Sequence, residues 1–188
     1  SIISNDTTRE DGDALFFEAD NDGDSDLYLG ASCSSGMDDA KQHLLYANDG
    51  DGKFALSFNS LPEITSSASC VIAADYDKDG DLDLFIGGRI KPREYPFSPR
   101  SYVLQNTNGK FRDVTSGLNP ALESPGVVSS AVWADVNKDD KQDLVIAGEW
   151  MPIRVFINDG ETFSERTESF GLENSHGWWH CLQAADLN

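Results

Sequence analysis

With 188 residues and 39% hydrophobic content, the chain is long enough to bury a real core. Its 14 basic residues against 33 acidic ones leave a net charge of −19, which argues against nucleic acid and anionic membrane surfaces, since both demand clustered Lys and Arg. No apolar run is long enough to span a bilayer, and three scattered cysteines, Cys33, Cys70 and Cys181, suit neither a disulfide framework nor a zinc site.

Residues 1–13 lack the basic and apolar regions of a signal peptide, so any targeting segment is expected to lie outside this stretch. The chain then divides into repeats over 14–58, 68–115 and 128–168, with an incomplete fourth over 177–188. Each repeat reads as four strands, A to D. In the second, A covers 70–74, B 82–87, C 101–105 and D 111–114. Strand C ends each time in a hairpin signal, at Asn48-Asp49-Gly50, Asn106-Thr107-Asn108-Gly109 and Asn158-Asp159-Gly160, followed by Phe54, Phe111 and Phe163. Cys70 and Cys181 each stand five residues before a loop's first Asp. Free thiols at equivalent buried strand positions are expected, a Cys33–Cys70 bridge being the alternative.

Between strands A and B lies an acidic loop. In the second repeat, DYDKDGDLDL places a carboxylate on every second residue from Asp75 to Asp83, and five like charges on one strand face would repel. Gly80, free to take positive φ, lets the chain curl so that the oxygens converge on one centre. A hard cation with six to eight oxygen ligands is Ca²⁺, and side chains at loop positions 1, 3, 5 and 9 with the carbonyl of position 7 would supply most of its shell. The first loop offers Glu18, Asp20, Asp22, Asp24 and Asp26, and the second Asp75, Asp77, Asp79, Asp81 and Asp83. The third offers Asp135, Asn137, Asp139, Lys141 and Asp143 and replaces the Gly with Asp140, so it has less charge to give. Asp186 and Asn188 begin a fourth. Ca²⁺ is expected in the first two loops and weakly or partially in the third. An EF-hand is excluded, because its position 12 needs a bidentate Glu, whereas Leu29, Ile86 and Ile146 stand there, within apolar strands.

These loops, each followed by an apolar strand ending in Gly30, Gly87 or Gly148, resemble the FG-GAP and VCBS repeats of calcium-binding β-propellers, of which the integrin α-subunit head is a distant member. Closer in texture are bacterial relatives of the cartilage acidic protein family, similar over 87–106 and 148–156. The resemblance implies the same metal ligands and an all-β partial propeller of about three four-stranded blades, cut at the start of a fourth. Propellers usually have four to eight blades. The chain is therefore expected to be a piece of a longer protein whose open ends could self-associate. The FG-GAP boxes at Leu29-Gly30-Ala31, Ile86-Gly87-Gly88 and Ala147-Gly148-Glu149 lack the Pro, which does not favour integrin-like ligand recognition.

In an up-and-down blade the A–B and C–D turns share one face. The long, dissimilar connections at 32–41, 58–69, 89–100, 115–129, 149–152 and 165–179 share the other, where specificity is expected. Arg89, Arg93, Tyr95, Trp150 and Trp178 are the candidate ligand residues there, each set against the simpler reading of inter-blade packing. His176 and His180 form the only close histidine pair and His43 stands alone. No nucleophile, base and orienting partner come together at any recognisable spacing, so no enzyme is expected. A secreted or surface module binding a protein or glycan is the first reading, in an extracellular, periplasmic or cell-surface setting where Ca²⁺ is plentiful. A non-catalytic scaffold within a polysaccharide- or lipid-active enzyme is the second.

Overall fold

Each acidic loop separates two apolar runs, and in the computed structural model those runs pair as neighbours. The structure describes residues 11–32, 43–90 and 97–185. Arg93 and Tyr95 of the expected ligand face, Cys33, and the start of the fourth loop at 186–188 lie outside the described residues.

Strands β1 (Asp11–Phe17), β2 (Asp26–Ala31), β3 (Leu44–Asn48) and β4 (Phe54–Leu56) form one antiparallel meander. Strands β5 (Ala68–Ala74), β6 (Asp83–Gly88), β7 (Tyr102–Thr107) and β8 (Lys110–Asp113) form a second. Strands β9 (Val127–Ala134), β10 (Asp143–Met151), β11 (Arg154–Asn158) and β12 (Phe163–Glu165) form a third, to which β13 (Gly177–Trp178) adds a short pairing with β10. The register repeats. The loop's ninth residue faces the last residue of strand A in all three sheets, as Phe17 opposite Asp26, Ala74 opposite Asp83 and Ala134 opposite Asp143. The fold is all-β, and its three blade-like sheets are those expected.

Two apolar layers hold the sheets together. Phe17, Ala19, Tyr28, Leu45, Leu84, Ile86, Leu104 and Phe111 pack in the first cluster, while Tyr76, Phe85, Val103, Val128, Leu144, Ile146 and Phe156 pack in the second. Alternate residues of β6 therefore serve different layers, and the whole strand is buried. That is why its sequence, DLFIGG, is a continuous apolar run rather than an alternating one. The two Gly residues are required by close approach: a Cβ on Gly87 would meet Val128 Cγ1 at 2.6 Å and Cys70 Sγ at 2.7 Å, and one on Gly88 would meet the Arg100 carbonyl oxygen at 2.3 Å. The inner strands β1, β5 and β9 lie side by side. Val71 N–H donates to Asp13 Oδ2 at 2.8 Å across the first gap, and Leu182 N–H donates to Ser130 Oγ at 3.0 Å in the equivalent place beyond β9.

Three expectations need correction. Residues 149–152, read as a loop, lie mostly within β10, which continues to Met151 and carries Trp150 on its end. The connection over 115–129 holds a helical turn (Thr115–Leu118) and a 3₁₀ turn (Pro120–Leu122). Cys181 is exposed and belongs to no strand, whereas Cys70 is a buried free thiol. The physical reason is that neighbouring inner strands meet through side chains, so a ladder needs a B strand of the same blade, and residues 179–185 pair with none among the described residues. Burial pushes the Cys70 thiol up to about 12, so a maleimide reagent is expected to modify Cys181 in the folded protein and to reach Cys70 only after denaturation. Peptide mapping checks this, and equal native labelling of both would show that the second apolar layer opens.

Candidate metal centre

The three A–B loops share one backbone. Position 4 is left-handed at Asn21 (φ 63°), Lys78 (φ 62°) and Lys138 (φ 65°), and position 6 has positive φ at Gly23, Gly80 and Asp140. Asp140 thus takes the glycine's conformation at φ 66°, one that Asp tolerates better than bulkier residues do. With this curl, the position 1 carboxylate accepts N–H groups from across the loop. Gly23 donates to Glu18 Oε2 at 2.8 Å, Asp79 and Gly80 to Asp75 at 3.1 Å each, and Asp139 and Asp140 to Asp135 at 3.1 and 2.8 Å. Position 5 takes the N–H of position 7 in all three loops, from Asp24 to Asp22 at 3.0 Å, from Asp81 to Asp79 at 2.9 Å and from Lys141 to Asp139 at 3.0 Å.

The carboxylates converge differently in the three loops. In the first, oxygens of Glu18, Asp20 and Asp22 lie within 4.8 Å of one another, and in the second those of Asp75, Asp77 and Asp83 do. Glu18 Oε1 and Asp20 Oδ1 are buried with no hydrogen-bond partner. A cation fits these two oxygens, because an unpaired buried anionic oxygen is costly and a divalent ion would satisfy both at once. Desolvation, with Asp22 and Glu18 beside it, raises the Asp20 carboxyl above its usual range. The third loop gathers no such group among the described residues. Lys141 Nζ stands 3.5 Å from Asp139 Oδ2, and Asn137 Nδ2 donates to the same oxygen at 3.1 Å. The loop thus carries a positive charge of its own. Asp139 is held below the usual carboxylate range, first by the Lys141 N–H. On Asp135 desolvation pushes upward, but the N–H groups of Asp140, Asp139 and Lys138 together outweigh it and lower the carboxyl.

Position 9 has a second task. Asp26, Asp83 and Asp143 are buried, and each clamps two backbone N–H groups. Asp26 takes those of Ala19 and Asn48, both at 2.9 Å; Asp83 takes Tyr76 at 3.3 Å and Asn106 at 2.8 Å; Asp143 takes Val136 at 3.0 Å and Asn158 at 2.8 Å. Burial raises all three, Asp83 to about 7. Asp83 joins the second cluster while making this clamp, whereas Asp26 is not part of the first, and Asp24, Asp79 and Asp81 lie outside the two clusters as well. The side chain of Asp81 accepts instead from Asn21 Nδ2 and from Asn108 N–H at 3.0 Å, leaving its carbonyl as the candidate donor atom.

Asn106 and Asn158, whose local sequence announces only a turn, are part of the site. Asn106 Nδ2 donates to the Ala19 carbonyl at 2.8 Å and to Leu82 O at 3.1 Å, and Asn158 Nδ2 donates to Tyr76 O at 2.8 Å and to Gln142 O at 3.2 Å. Each Asn therefore holds its own loop and that of the preceding blade. Their identical phase at the end of strand C was the signal available. Gln105 has no such repeat: its Nε2 donates to Asp77 Oδ2, while its Oε1 accepts from Arg112.

On the opposite face, the ends of β6 and β10 carry exposed Arg89 and Trp150. Trp150 is 65% exposed and left-handed at φ 62°, a costly conformation for a bulky residue. Its ring centroid lies 5.0 Å from that of Trp178, which is 52% exposed, and Trp178 in turn stacks on His180 at 6.4 Å. Arg100, by contrast, is spoken for by Asp113 at 2.7 Å and Glu123 at 2.5 Å. His43 is buried and structural, bonded through Nδ1 to the Tyr28 hydroxyl and through Nε2 to Ser66 O at 3.0 Å.

Blade-like sheets in identical register, each opening into an acidic loop curled through two positive-φ residues, define a repeat module of the β-propeller class. The FG-GAP-like repeat model matches residues 19–86 and 135–188, more than half of the chain. The chain belongs to the FG-GAP-like repeat family. No curated protein matches it.

Proposed function

We propose that the chain is part of a calcium-stabilised, non-catalytic binding module, with Ca²⁺ in the Glu18 and Asp75 loops and a protein or glycan partner on the opposite face. The calcium half is supported by the two unpartnered buried oxygens of Glu18 and Asp20. Glu18, Asp20 and Asp22 would hold one ion and Asp75, Asp77 and Asp83 the other, and a bound ion would supply charge neutralisation and cross-linking of the loop rather than a reaction. Extracellular, periplasmic or cell-surface conditions provide the Ca²⁺ that such loops need.

The observation that carries the binding half is the Trp150 and Trp178 pair. An exposed indole held in a strained backbone conformation gains little for folding, and paired aromatic faces suit stacking on a sugar ring or an apolar side chain. Arg89 at the corresponding end of β6 adds a cation to that face. The test is a glycan array together with pull-down on candidate protein ligands, followed by Trp150→Ala, Trp150→Gly and Trp178→Ala. Each tryptophan variant is expected to lose at least about tenfold in affinity, since aromatic anchors dominate such interfaces. Trp150→Gly should be more stable than Trp150→Ala by about 1 kcal/mol, because only Gly takes φ 62° freely. Binding that survives all three variants but disappears in Asp77→Ala would move the site to the metal face.

A further inference from the structure

We infer that the cation sites of the Glu18 and Asp75 loops are coupled, so that filling either one raises the affinity of the other. The inference rests on the calcium reading above. Two connections run between these loops. The first is a chain of hydrogen bonds joining the two position 9 carboxylates. Asp26 Oδ2 accepts from Ala19 N–H at 2.9 Å, the Ala19 carbonyl accepts from Asn106 Nδ2 at 2.8 Å, and Asn106 N–H donates to Asp83 Oδ1 at 2.8 Å. The second is the side-chain bond from Asn21 Nδ2 to Asp81 Oδ1.

Both connections begin at residues that a bound ion would immobilise. Ala19 lies between the ligands Glu18 and Asp20, and Asn21 lies between Asp20 and Asp22. When the first loop closes on its ion, the Ala19 peptide is held with its carbonyl toward Asn106, and the Asn21 side chain is held toward Asp81. Asn106 and Asp83 are fully buried and Asp81 nearly so, so they have little freedom to take up a change elsewhere. Ordering Asn106 aims its N–H at Asp83, a member of the second cluster, and ordering Asp81 fixes the backbone just ahead of it. The second loop then loses less conformational freedom on binding, which is positive coupling by shared ordering. Repulsion between two dications works against it. That repulsion is weakened by Asp26 and Asp81, whose carboxylates lie within the connections themselves.

The next junction provides an internal contrast. Asp83, Tyr76, Asn158 and Asp143 repeat the first connection, with Asn158 Nδ2 to Tyr76 O at 2.8 Å and Asn158 N–H to Asp143 Oδ1 at 2.8 Å. The residues in the places of Asn21 and Asp81 are Lys78 and Lys141, two cations that cannot bond to each other. The side-chain connection is therefore particular to the first pair of loops.

Calorimetric titration with Ca²⁺ tests the coupling on the whole chain. Asp20→Asn is used to disable the first loop and Asp77→Asn the second, with circular dichroism confirming the fold and Asp22→Asn standing in if Asp20→Asn fails to fold. Disabling the first loop is expected to weaken the second by on the order of tenfold, and disabling the second to weaken the first by the same factor, as reciprocity demands. Asn21→Gly removes the bond to Asp81 while keeping the left-handed backbone at φ 63°. In that background the tenfold effect should shrink to about threefold or less. An affinity of the second loop that is unchanged or tighter in Asp20→Asn would overturn the coupling while leaving the calcium reading intact. Absence of any Ca²⁺ binding by the wild-type chain would overturn both.

Discussion

Removing calcium is expected to lower the melting temperature by about 10 °C or more. An ion that binds only the folded loop stabilises it by about 2.7 kcal/mol at a hundred times its dissociation constant, so two filled loops contribute about 5 kcal/mol. For a chain of this size, each kcal/mol moves the melting temperature by about 2–4 °C. The effect should be divided between the first and second loops. Asp77→Ala, which removes one member of the Asp75 cluster and the acceptor of Gln105, is expected to abolish at least half of the response to chelator, and more than half where the two sites are coupled. Asp139→Ala should leave it nearly unchanged, because Lys141 already stands 3.5 Å from that carboxylate. Thermal melts in EDTA and in millimolar Ca²⁺ provide the measurement. A melting curve indifferent to both would sink the metal reading of all three loops.

The second large effect is a reversal of pH dependence by calcium. Asp83 is fully buried, and desolvation raises its carboxyl from 3.8 to about 7 in the metal-free fold. Between those values the folded chain keeps a proton that the unfolded chain has released. The folded state binds more protons, so stability is fully present below pH 4 and is lost as pH rises toward 7. Asp20, Asp26 and Asp143 are also raised and act in the same direction. The groups held low, among them Asp113, Glu123 and Glu165, exert their effect at more acidic pH than this window. In chelator, a decline of up to about 3 kcal/mol from Asp83 is expected between pH 4.5 and 7.5, at 1.36 kcal/mol per pKa unit. Saturating Ca²⁺ inverts the sign, since an adjacent dication favours the charged carboxylate and its binding displaces the proton. Melts at pH 5, 6 and 7.5 with and without Ca²⁺ decide the matter, and Asp83→Asn should flatten the metal-free slope. Metal-free stability that rises over this range would refute the account of Asp83.

The strands and the loops were legible in the chain because their signals are local. An apolar run such as DLFIGG, bounded by an acidic loop and a glycine, has one economical conformation, and a carboxylate on alternate residues around Gly80 dictates a curl whatever surrounds it. Hence the three sheets, their boundaries to within a residue or two in the second repeat, and the left-handed Asp140 could all be expected from composition and spacing. What each carboxylate does once the loop is closed could not be expected in this way. Asp26 and Asp83 occupy the same position in the same pattern and each clamps two backbone N–H groups, yet only Asp83 joins a cluster, because the outcome depends on how closely the carboxylates of each loop approach one another in the packed structure. The Asn residues at the ends of the C strands announce a turn to any local reading. Their partners, Ala19 for Asn106 and Tyr76 for Asn158, lie 87 and 82 residues away and belong to another blade. Cys70 and Cys181 share a sequence context and differ in burial for the same reason, since coverage comes from a neighbouring sheet and not from the strand itself. Hydrophobic period, turn chemistry and charge spacing are properties of a few consecutive residues, and they determine which elements form. Hydrogen-bond satisfaction, burial and carboxylate pKa are properties of groups brought together from distant blades, and only the packed structure decides them.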